Sequence, residues 1–444
     1  MFIKFMQISF IKQLYEEENN MKKNKGITLV ALVVTIVVLL ILAGVSINLV
    51  LGNNGIIAKA KDAETKSAEA SENDLKGMNS LIEQMESALN GSGNGGKTEP
   101  ETVPYLPSDD FHYDTSTSVD TGLVIKDGSG NEYVWVVVPR TTAVYATTGL
   151  GKITFTDADY TSIENDLKEY TKTYRGSTSY SDTWYADDKN EGWLTPGEYT
   201  ELKNSMLKSV YENGGFYVGR YEAGIGTNRT SNTDKNSDGK YTMPSTVPVS
   251  KADAYPYTRV TRTQAQNLAS NVNSGTKTSS LMFGVQWDLV LAFMHNKGNI
   301  ADSTLTSNST TIGNYYNSTF DLNRGKYAQY NKLGNPWNNF DSALGSIVVS
   351  NETTGKMKKT EQSSYSNGIL LTTGGTERSN VMNIYDIAGN VSEWTLEKAS
   401  RTSDLCDFRG GNFTDAGSSI AAASRHRGSA DGSDSTLGFR VSLF

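Results

Sequence analysis

The stretch from residue 27 to residue 51 contains no charged side chain. A helix needs about 20 consecutive apolar residues to cross the hydrocarbon layer of a membrane, and this run is long enough. Lys22, Lys23 and Lys25 precede it. Because cytoplasmic flanks carry an excess of basic residues, the N-terminus is expected inside the cell. We therefore expect residues 27–51 to anchor the chain in the cell membrane, with the C-terminal part outside.

The sequence around this run divides into segments of different composition. Residues 1–26 form a leader. Translation is expected to start at Met21, because the codons for Glu16-Glu17-Glu18 can form a purine-rich sequence that resembles a ribosome-binding site. The other expected segments are a polar helical stalk at 52–90, a flexible Gly-rich linker at 91–104 and one large domain at 105–444.

Charge and cysteine content exclude several classes of function. The net charge is −8, which argues against general binding of nucleic acid. Cys406 is the single cysteine, so no intrachain disulfide can form; this fits an exported protein of a Gram-positive bacterium. The three histidines lie far apart, and no spacing typical of a zinc site is present.

The large domain shows short strands and turns. Apolar and aromatic runs predict strands at residues 123–125, 133–138 and 215–222. Apolar periodicity predicts helices at residues 263–274 and 281–295. Gly-, Asn-, Ser- and Thr-rich sequence fills much of the rest. We therefore expect an α+β fold with a large irregular fraction.

The N-terminal segment resembles the type IV pilins. A Lys-rich leader ends at Gly26, and the apolar run opens with Ile27, Thr28 and Leu29. The resemblance implies that a prepilin peptidase cuts between Gly26 and Ile27, that the new N-terminus is methylated, and that the helix assembles with other pilin subunits. Ala31 stands where the family usually has a glutamate. A plain signal anchor is the alternative.

The C-terminal third resembles the formylglycine-generating enzyme, or sulfatase-modifying factor, family. The motifs are residues 383–395, the Arg409-Gly410-Gly411 run and residues 437–441. The resemblance implies a loop-rich C-type-lectin-like domain after the long N-terminal transmembrane and stalk helix. A purely structural role for these motifs, with buried aromatics and an arginine bound to a carboxylate, is the alternative to a functional one.

The resemblance also bears on catalysis. Oxidase members of the family carry two cysteines after the Arg-Gly-Gly motif, and these bind copper. The resemblance places the matching positions near Asp415 and Ile420, and neither residue is cysteine. A Cu(I) site needs thiolates, so we expect neither copper nor dithiol oxidation. We predict that the domain is not an enzyme; an enzyme of this fold with chemistry independent of cysteine is the alternative.

The resemblance further implies a structural calcium ion. Its expected ligands are Gly389, Asn390, Val391 and Glu393, which match the Gly-Asn-x-x-Glu segment of family members. In the alternative, Asn390 caps a turn and Glu393 pairs with an arginine.

In C-type-lectin-like folds the long C-terminal loops form the ligand face, here within residues 414–434. The predicted ligand-binding residues are Asp415, Ser418, Ser419, Ser424, His426, Ser429, Asp431, Ser433 and Asp434. Together with the anchor, this predicts a surface adhesin or minor pilin whose extracellular ligand is a glycan or a protein. The alternatives are a retroelement-diversified ligand-binding protein of the same fold and a structural pilin with an inert domain.

Overall fold

The computed structural model describes residues 12–13, 104–176, 180–187, 191–226, 246–329, 337–351, 353, 355–400, 403 and 405–444. The chain divides into two units, Met1–Asn90 and Gly91–Phe444, and almost all described residues belong to the second. No helix within the described ranges is long and apolar enough to cross a membrane. The predicted anchor at 27–51, the cleavage site Gly26–Ile27, the stalk and nearly all of the linker lie outside these ranges.

Most of the longer helices begin at a threonine that caps the first turn. Thr156, Thr195 and Thr261 each accept a hydrogen bond from the backbone N–H three residues on, and the side chain there returns one. Such capping boxes satisfy N–H groups that a helix start leaves free. The α-helices are α1 (Asp157–Tyr170), α2 (Lys172–Arg175), α3 (Pro196–Asn213), α4 (Arg262–Ala269), α5 (Gly284–Asn296) and α6 (Asp302–Thr306). Short 3₁₀ turns lie at Tyr365–Asn367 and Glu377–Ser379.

The strands are short, and most pairings are antiparallel. In chain order they are β1 (His112–Tyr113), β2 (Val124–Lys126), β3 (Glu132–Val137), β4 (Tyr180–Ser181), β5 (Gly215–Gly219), β6 (Gly224–Ile225), β7 (Tyr255–Pro256), β8 (Ser279–Leu281), β9 (Phe320–Asp321), β10 (Lys326–Gln329), β11 (Asn338–Asn339), β12 (Val348–Ser350), β13 (Met357–Lys359), β14 (Ile369–Leu371), β15 (Ser392–Ala399), β16 (Cys406–Arg409), β17 (Arg425–Gly428), β18 (Leu437–Phe439) and β19 (Val441–Leu443).

Two sheets form the frame of the domain. Sheet I has the order β1-β2-β3-β5-β19-β8, so the C-terminal strand β19 lies between two strands from earlier in the chain. Sheet II has the order β17-β16-β15-β18, and β4 also pairs with β15. The β15–β18 pairing is parallel, whereas β15, β16 and β17 pair antiparallel. Three small sheets complete the described strands: β11-β10-β14, β12-β13-β9 and β6-β7.

Helix α5 lies in the centre of the core. Its first eleven residues, from Gly284 to Met294, are buried, as expected for a helix that is apolar around most of its circumference. It contacts β3 of sheet I and β15 of sheet II. Trp287 is fully buried, and its indole N–H donates to the carbonyl of Ala422 over 3.0 Å. The helix therefore connects both sheets to the C-terminal segment that was predicted to carry the ligand face.

The observed elements match the predicted type of fold, a strand-rich mixture of helices and sheets. The strands predicted at 123–125, 133–138 and 215–222 correspond to β2, β3 and β5 with shifted ends. The helix predicted at 263–274 ends at Ala269, because Asn271 and Val272 bond back to Leu268 and Ala269 in turns rather than extending the α-helix. Helices α1 and α3 were not predicted, because polar residues on their exposed faces leave only a weak helical periodicity of apolar residues.

Candidate ligand-binding site

The predicted ligand window, residues 414–434, falls into three consecutive parts. Turns at 414–424 come first, strand β17 follows, and a loop runs from 429 to strand β18. The predicted residues are therefore spread over three local environments. Of these residues, Ser424 alone lines the large pocket described below.

Asp415 is part of the turn that follows the Arg-Gly-Gly motif. Its carboxylate accepts from the backbone N–H and the side-chain amide of Asn412, over 2.9 and 2.7 Å. Its own carbonyl accepts from the backbone N–H of Tyr316 over 3.1 Å. Burial raises the pKa of Asp415 above its ordinary value. The side chain thus fixes the turn, while Ser418 and Ser419 just beyond it are exposed.

The loop after β17 displays most of the remaining predicted residues. Asp431, Ser433 and Asp434 are exposed. The Ser429 hydroxyl donates to the Asp431 carboxylate. The Asp434 carboxylate accepts from the backbone N–H and the hydroxyl of Thr436, each over 3.1 Å. The ends of this loop are held by local hydrogen bonds, and its polar side chains face solvent.

A pocket of about 470 Å³ lies beside β17. Its volume falls within the roughly 300–1,000 Å³ common for sites that bind small molecules. Residues from four distant parts of the chain line it, including Tyr174, Arg175, Tyr180, Thr306, Ser400, Ser424, Arg425 and Arg427. Helix α2 supplies the first two and strand β4 the third, so the pocket depends on the tertiary fold.

Strand geometry decides which residues of β17 reach this pocket. Successive side chains of a strand point to opposite faces of the sheet. Arg425 and Arg427 line the pocket, whereas His426 between them stacks on Phe408, with ring centroids 5.7 Å apart. Burial lowers the pKa of His426, and the charge of Arg427 lowers it further. His426 was predicted to bind ligand, but it faces away from the pocket.

Buried ion pairs form the floor below Arg425. Its guanidinium donates to both carboxylate oxygens of Asp288, over 3.0 and 2.7 Å, and to Glu397 over 2.9 Å. Arg409 binds the same two carboxylates, over 2.8 and 3.4 Å. Burial lowers the pKa of Arg425, but Asp288 and Glu397 outweigh that effect and raise it above its ordinary value. The network holds Arg425 rigidly at the pocket wall.

Arg175 and Arg427 have fewer carboxylate partners than Arg425 and Arg409. The Nη1 atom of Arg175 lies 3.6 Å from Asp288 and has no hydrogen-bond partner among the described residues. Arg427 is exposed, and the ion pairs found among the described residues do not include it. Two guanidinium groups at the pocket therefore keep donors that an anion could accept from.

The residues predicted to bind calcium have protein partners instead. The Asn390 side-chain oxygen accepts from Asn314 and from the Leu371 backbone, each over 3.0 Å, and its amide donates to Glu222 over 2.6 Å. Glu393 is bound by Arg440 over 2.7 Å. Glu393 pairs with an arginine, as in the structural alternative. Asn390 binds residues far away in the sequence instead of capping a turn. Among the described residues, no group of three or more acidic, histidine or cysteine side chains could hold a metal. Calcium binding by the chain stays a prediction.

Residues 199–443 match the Sulfatase-modifying factor enzyme 1-like domain family. The chain belongs to this family. No curated protein sequence matches it. Among solved structures, CarF is 15% identical with a TM-score of 0.29, over 51% of this chain and 85% of CarF. Treponema denticola variable protein 1 is 16% identical with a TM-score of 0.15, over 51% of this chain and 95% of that protein.

As a member of the sulfatase-modifying factor family, the chain has a recognisable Arg-Gly-Gly turn. Gly410 and Gly411 adopt φ values of +88° and +70°, which side chains other than glycine rarely adopt. A methyl group on Gly411 would lie 2.8 Å from Ile420. The two positions predicted to match the cysteines of the oxidases hold a hydrogen-bonded carboxylate, Asp415, and an aliphatic side chain close to Gly411, Ile420.

Sequence reasoning missed most of this pocket. Tyr174, Arg175 and Tyr180 lie far outside the predicted window, in a segment without a family motif. Arg425 and Arg427 lie inside the window, but the prediction selected short polar side chains. The alternation Arg-His-Arg at 425–427 was the one available signal, because alternate charges on a strand share a face.

Proposed function

We propose that residues 105–444 form a non-catalytic ligand-binding domain of C-type-lectin-like fold, presented outside the cell by the N-terminal segment. The observation that carries this proposal is that neither position at which dithiol chemistry would be expected holds a thiol. Asp415 is bound within its own turn, and Ile420 packs on Gly411. Neither can replace a thiolate as a ligand or a nucleophile.

The remaining thiol is unsuited to such chemistry. Cys406 is buried, and its sulfur lies 2.6 Å from the hydroxyl of Tyr185. Burial raises its pKa above the ordinary value, so the thiol form prevails at neutral pH. Since the thiolate is the reactive species, a buried thiol with a raised pKa reacts slowly.

The test of non-catalysis uses the full-length protein in detergent. A cysteine-containing sulfatase peptide is incubated with the protein, Cu(I) and oxygen, and formylglycine is sought by mass spectrometry. We expect no conversion above that of a Cys406→Ser variant, which lacks any thiol. Conversion by the wild-type protein that the variant does not show would contradict the proposal.

Surface presentation is supported by the uncharged run at residues 27–51 and the basic residues before it. We propose processing between Gly26 and Ile27 by a prepilin peptidase, followed by assembly with other pilin subunits in a surface pilus. Mass spectrometry of the mature N-terminus in native membranes tests this. A chain that starts at Ile27 supports the pilin form. A chain that starts at Met21 or Lys22 instead makes the protein a monomeric membrane-anchored receptor.

Ligand binding is tested by adhesion. Cells that express the full-length chain on their surface are compared with cells that express only residues 1–104 on immobilised glycans and extracellular proteins. Retention that requires residues 105–444 supports the binding role. Equal retention of both strains on every surface would instead favour the inert structural pilin.

A retroelement-diversified binding protein is a second candidate. It is favoured by the exposure of Ser418, Ser419, Asp431, Ser433 and Asp434 between buried framework motifs, because exposed positions tolerate substitution. Sequencing of the gene across a population tests whether these positions vary. Substitutions concentrated at these positions would support diversification, and an invariant window would exclude it.

A further inference from the structure

We propose that the pocket beside β17 binds the carboxylate of an acidic sugar, with Arg427 and Arg175 as the anion ligands. This inference rests on the proposed binding role of the domain and assigns the site and the ligand chemistry. The pocket is bounded by α2, β4 and the segment 423–427.

Positive charge exceeds negative charge at the pocket. Four guanidinium groups, those of Arg175, Arg409, Arg425 and Arg427, lie at the pocket or below it. Asp288 and Glu397 are the two carboxylates bound to them, and these bind Arg409 and Arg425 most closely. Among the described residues, two positive charges at the pocket therefore have no carboxylate of their own.

Neighbouring acids do not cancel this excess. Burial, with the charge of Glu397, raises the pKa of Asp407 far above its ordinary value, which favours the neutral form of this carboxyl. Glu164 forms ion pairs with both Lys168 and Lys203. Asp182 accepts from the first two backbone N–H groups of α5, which favour a negative charge there. The pocket thus has a positive excess in a partly desolvated wall, where charge-assisted bonds are strong.

The arginines at the pocket differ in how firmly the protein holds them. The three direct bonds of Arg425 to Asp288 and Glu397 and its bond to the Tyr174 carbonyl, 3.0 Å long, fix its guanidinium. Arg175 keeps a buried Nη1 without a hydrogen bond among the described residues. The Arg175 side chain as a whole is 17% exposed and lines the pocket, so a carboxylate that entered would meet its guanidinium group. Arg427 at the mouth would bind the same group from the solvent side.

The rest of the pocket wall suits a sugar. Hydroxyl side chains line the wall at Thr306, Ser400 and Ser424, and the ring of Tyr180 is half-buried there. Sugars present hydroxyl groups and an apolar ring face to such surfaces, and aromatic residues pack on that face. A pocket of about 470 Å³ accommodates one or two sugar rings. An acidic or phosphorylated peptide is the competing ligand that the test must separate.

The experiment measures binding to the full-length protein in detergent by calorimetry. The sugar probes are trigalacturonic acid, 3′-sialyllactose and a hyaluronan tetrasaccharide, each as the free acid and as its methyl ester. An acidic peptide and a phosphorylated peptide are measured beside them. The ester removes the charge and retains the sugar. We expect at least one acid to bind, its ester to bind about tenfold more weakly or worse, and the affinity to fall as salt is added.

Variants assign the binding to this pocket. Arg427→Gln is expected to weaken binding of the acid about tenfold, since it removes one charge-assisted bond from an exposed position that the fold does not need. Arg175→Gln is expected to weaken it as well. Arg378→Gln is the matched control, because Arg378 is also exposed and does not line the pocket; its affinity should equal that of the wild type.

Three results would overturn the inference. They are equal binding of acid and ester, acid binding unchanged in Arg427→Gln, and binding of phosphorylated peptides with no binding of the sugars. The adhesion test separates the two proposals: retention that requires residues 105–444 but is unaffected by Arg427→Gln removes the pocket assignment and leaves the binding role standing.

Discussion

At the scale of single residues, Arg440 joins three parts of the domain. Its guanidinium binds Glu393 over 2.7 Å, the carbonyl of Gly219 over 2.8 Å and the carbonyl of Tyr385 over 2.7 Å. Arg440 and Glu393 are both almost fully buried. Burial raises the pKa of Glu393 to about 7, although Arg440 opposes the shift. The pair connects sheet II to the strand that precedes Tyr221.

Replacement of Arg440 therefore has a cost that depends on pH. Arg440→Met leaves Glu393 buried without a partner, and breaking a buried pair in this way costs about 3–5 kcal/mol. The loss should be full at pH 8, where the carboxyl would have to stay charged. It should be smaller at pH 5, because the raised pKa lets Glu393 take up a proton and become neutral.

Denaturant unfolding of the full-length protein in detergent at both pH values checks this. Arg324→Met is the control, because Arg324 pairs with the half-exposed Glu377 and such pairs contribute at most about 1 kcal/mol. A loss of unfolding free energy for Arg440→Met that is the same at pH 5 and pH 8 would contradict the role assigned to Glu393.

At the scale of elements, helix α5 receives its N-terminal cap from another part of the chain. The Asp182 carboxylate accepts from the backbone N–H groups of Gly284 and Val285 over 2.6 and 3.0 Å. Burial raises the pKa of Asp182 to about 6, and Glu397 adds to the shift. The helix also carries Asp288, which holds Arg425 at the pocket wall. The cap thus affects both stability and the pocket.

Loss of this cap should be measurable. Asp182→Ala removes the acceptor for both N–H groups and is expected to lower the free energy of unfolding by about 2 kcal/mol, the upper end for helix caps. Asp182→Asn keeps one acceptor oxygen and should cost less. Thr156→Ala at the exposed start of α1 provides an ordinary cap for comparison, at about 1 kcal/mol. An Asp182→Ala variant as stable as the wild type would contradict the capping role.

The elements also show what the sequence can predict. Helix α5 and strand β3 were predictable because their apolar runs are long and nearly continuous. The cap from Asp182 was not, because 102 positions separate it from Gly284 and no local pattern links them. The pocket could not be predicted for the same reason, because Tyr174 and Arg425 are far apart in the sequence and come together only through tertiary packing. Asn390 and Glu393 were recognised by motif, but their bonds to Glu222 and Arg440 depend on strands from elsewhere in the chain.

At the scale of the whole molecule, the sequence predicts one large domain that a Gly-rich linker at residues 91–104 joins to the N-terminal segments. Because exposed segments rich in small polar residues are cut first, limited proteolysis should cleave within 91–104 and leave a resistant fragment that extends to Phe444. Mass spectrometry of the fragments is the measurement. Rapid cleavage inside α5 or sheet II would show that the domain is not the stable unit proposed.

The position of β17 has a consequence for a protein proposed to stand in a crowded filament. It is the last strand in the order of sheet II, so one of its edges has no strand partner among the described residues. An open edge can pair with the edge of a neighbouring copy and lead to aggregation. This strand is only four residues long and carries the exposed Arg427. Copies that approach edge to edge would bring their Arg427 side chains together, so a residue proposed to bind an acidic ligand would also keep neighbouring subunits apart.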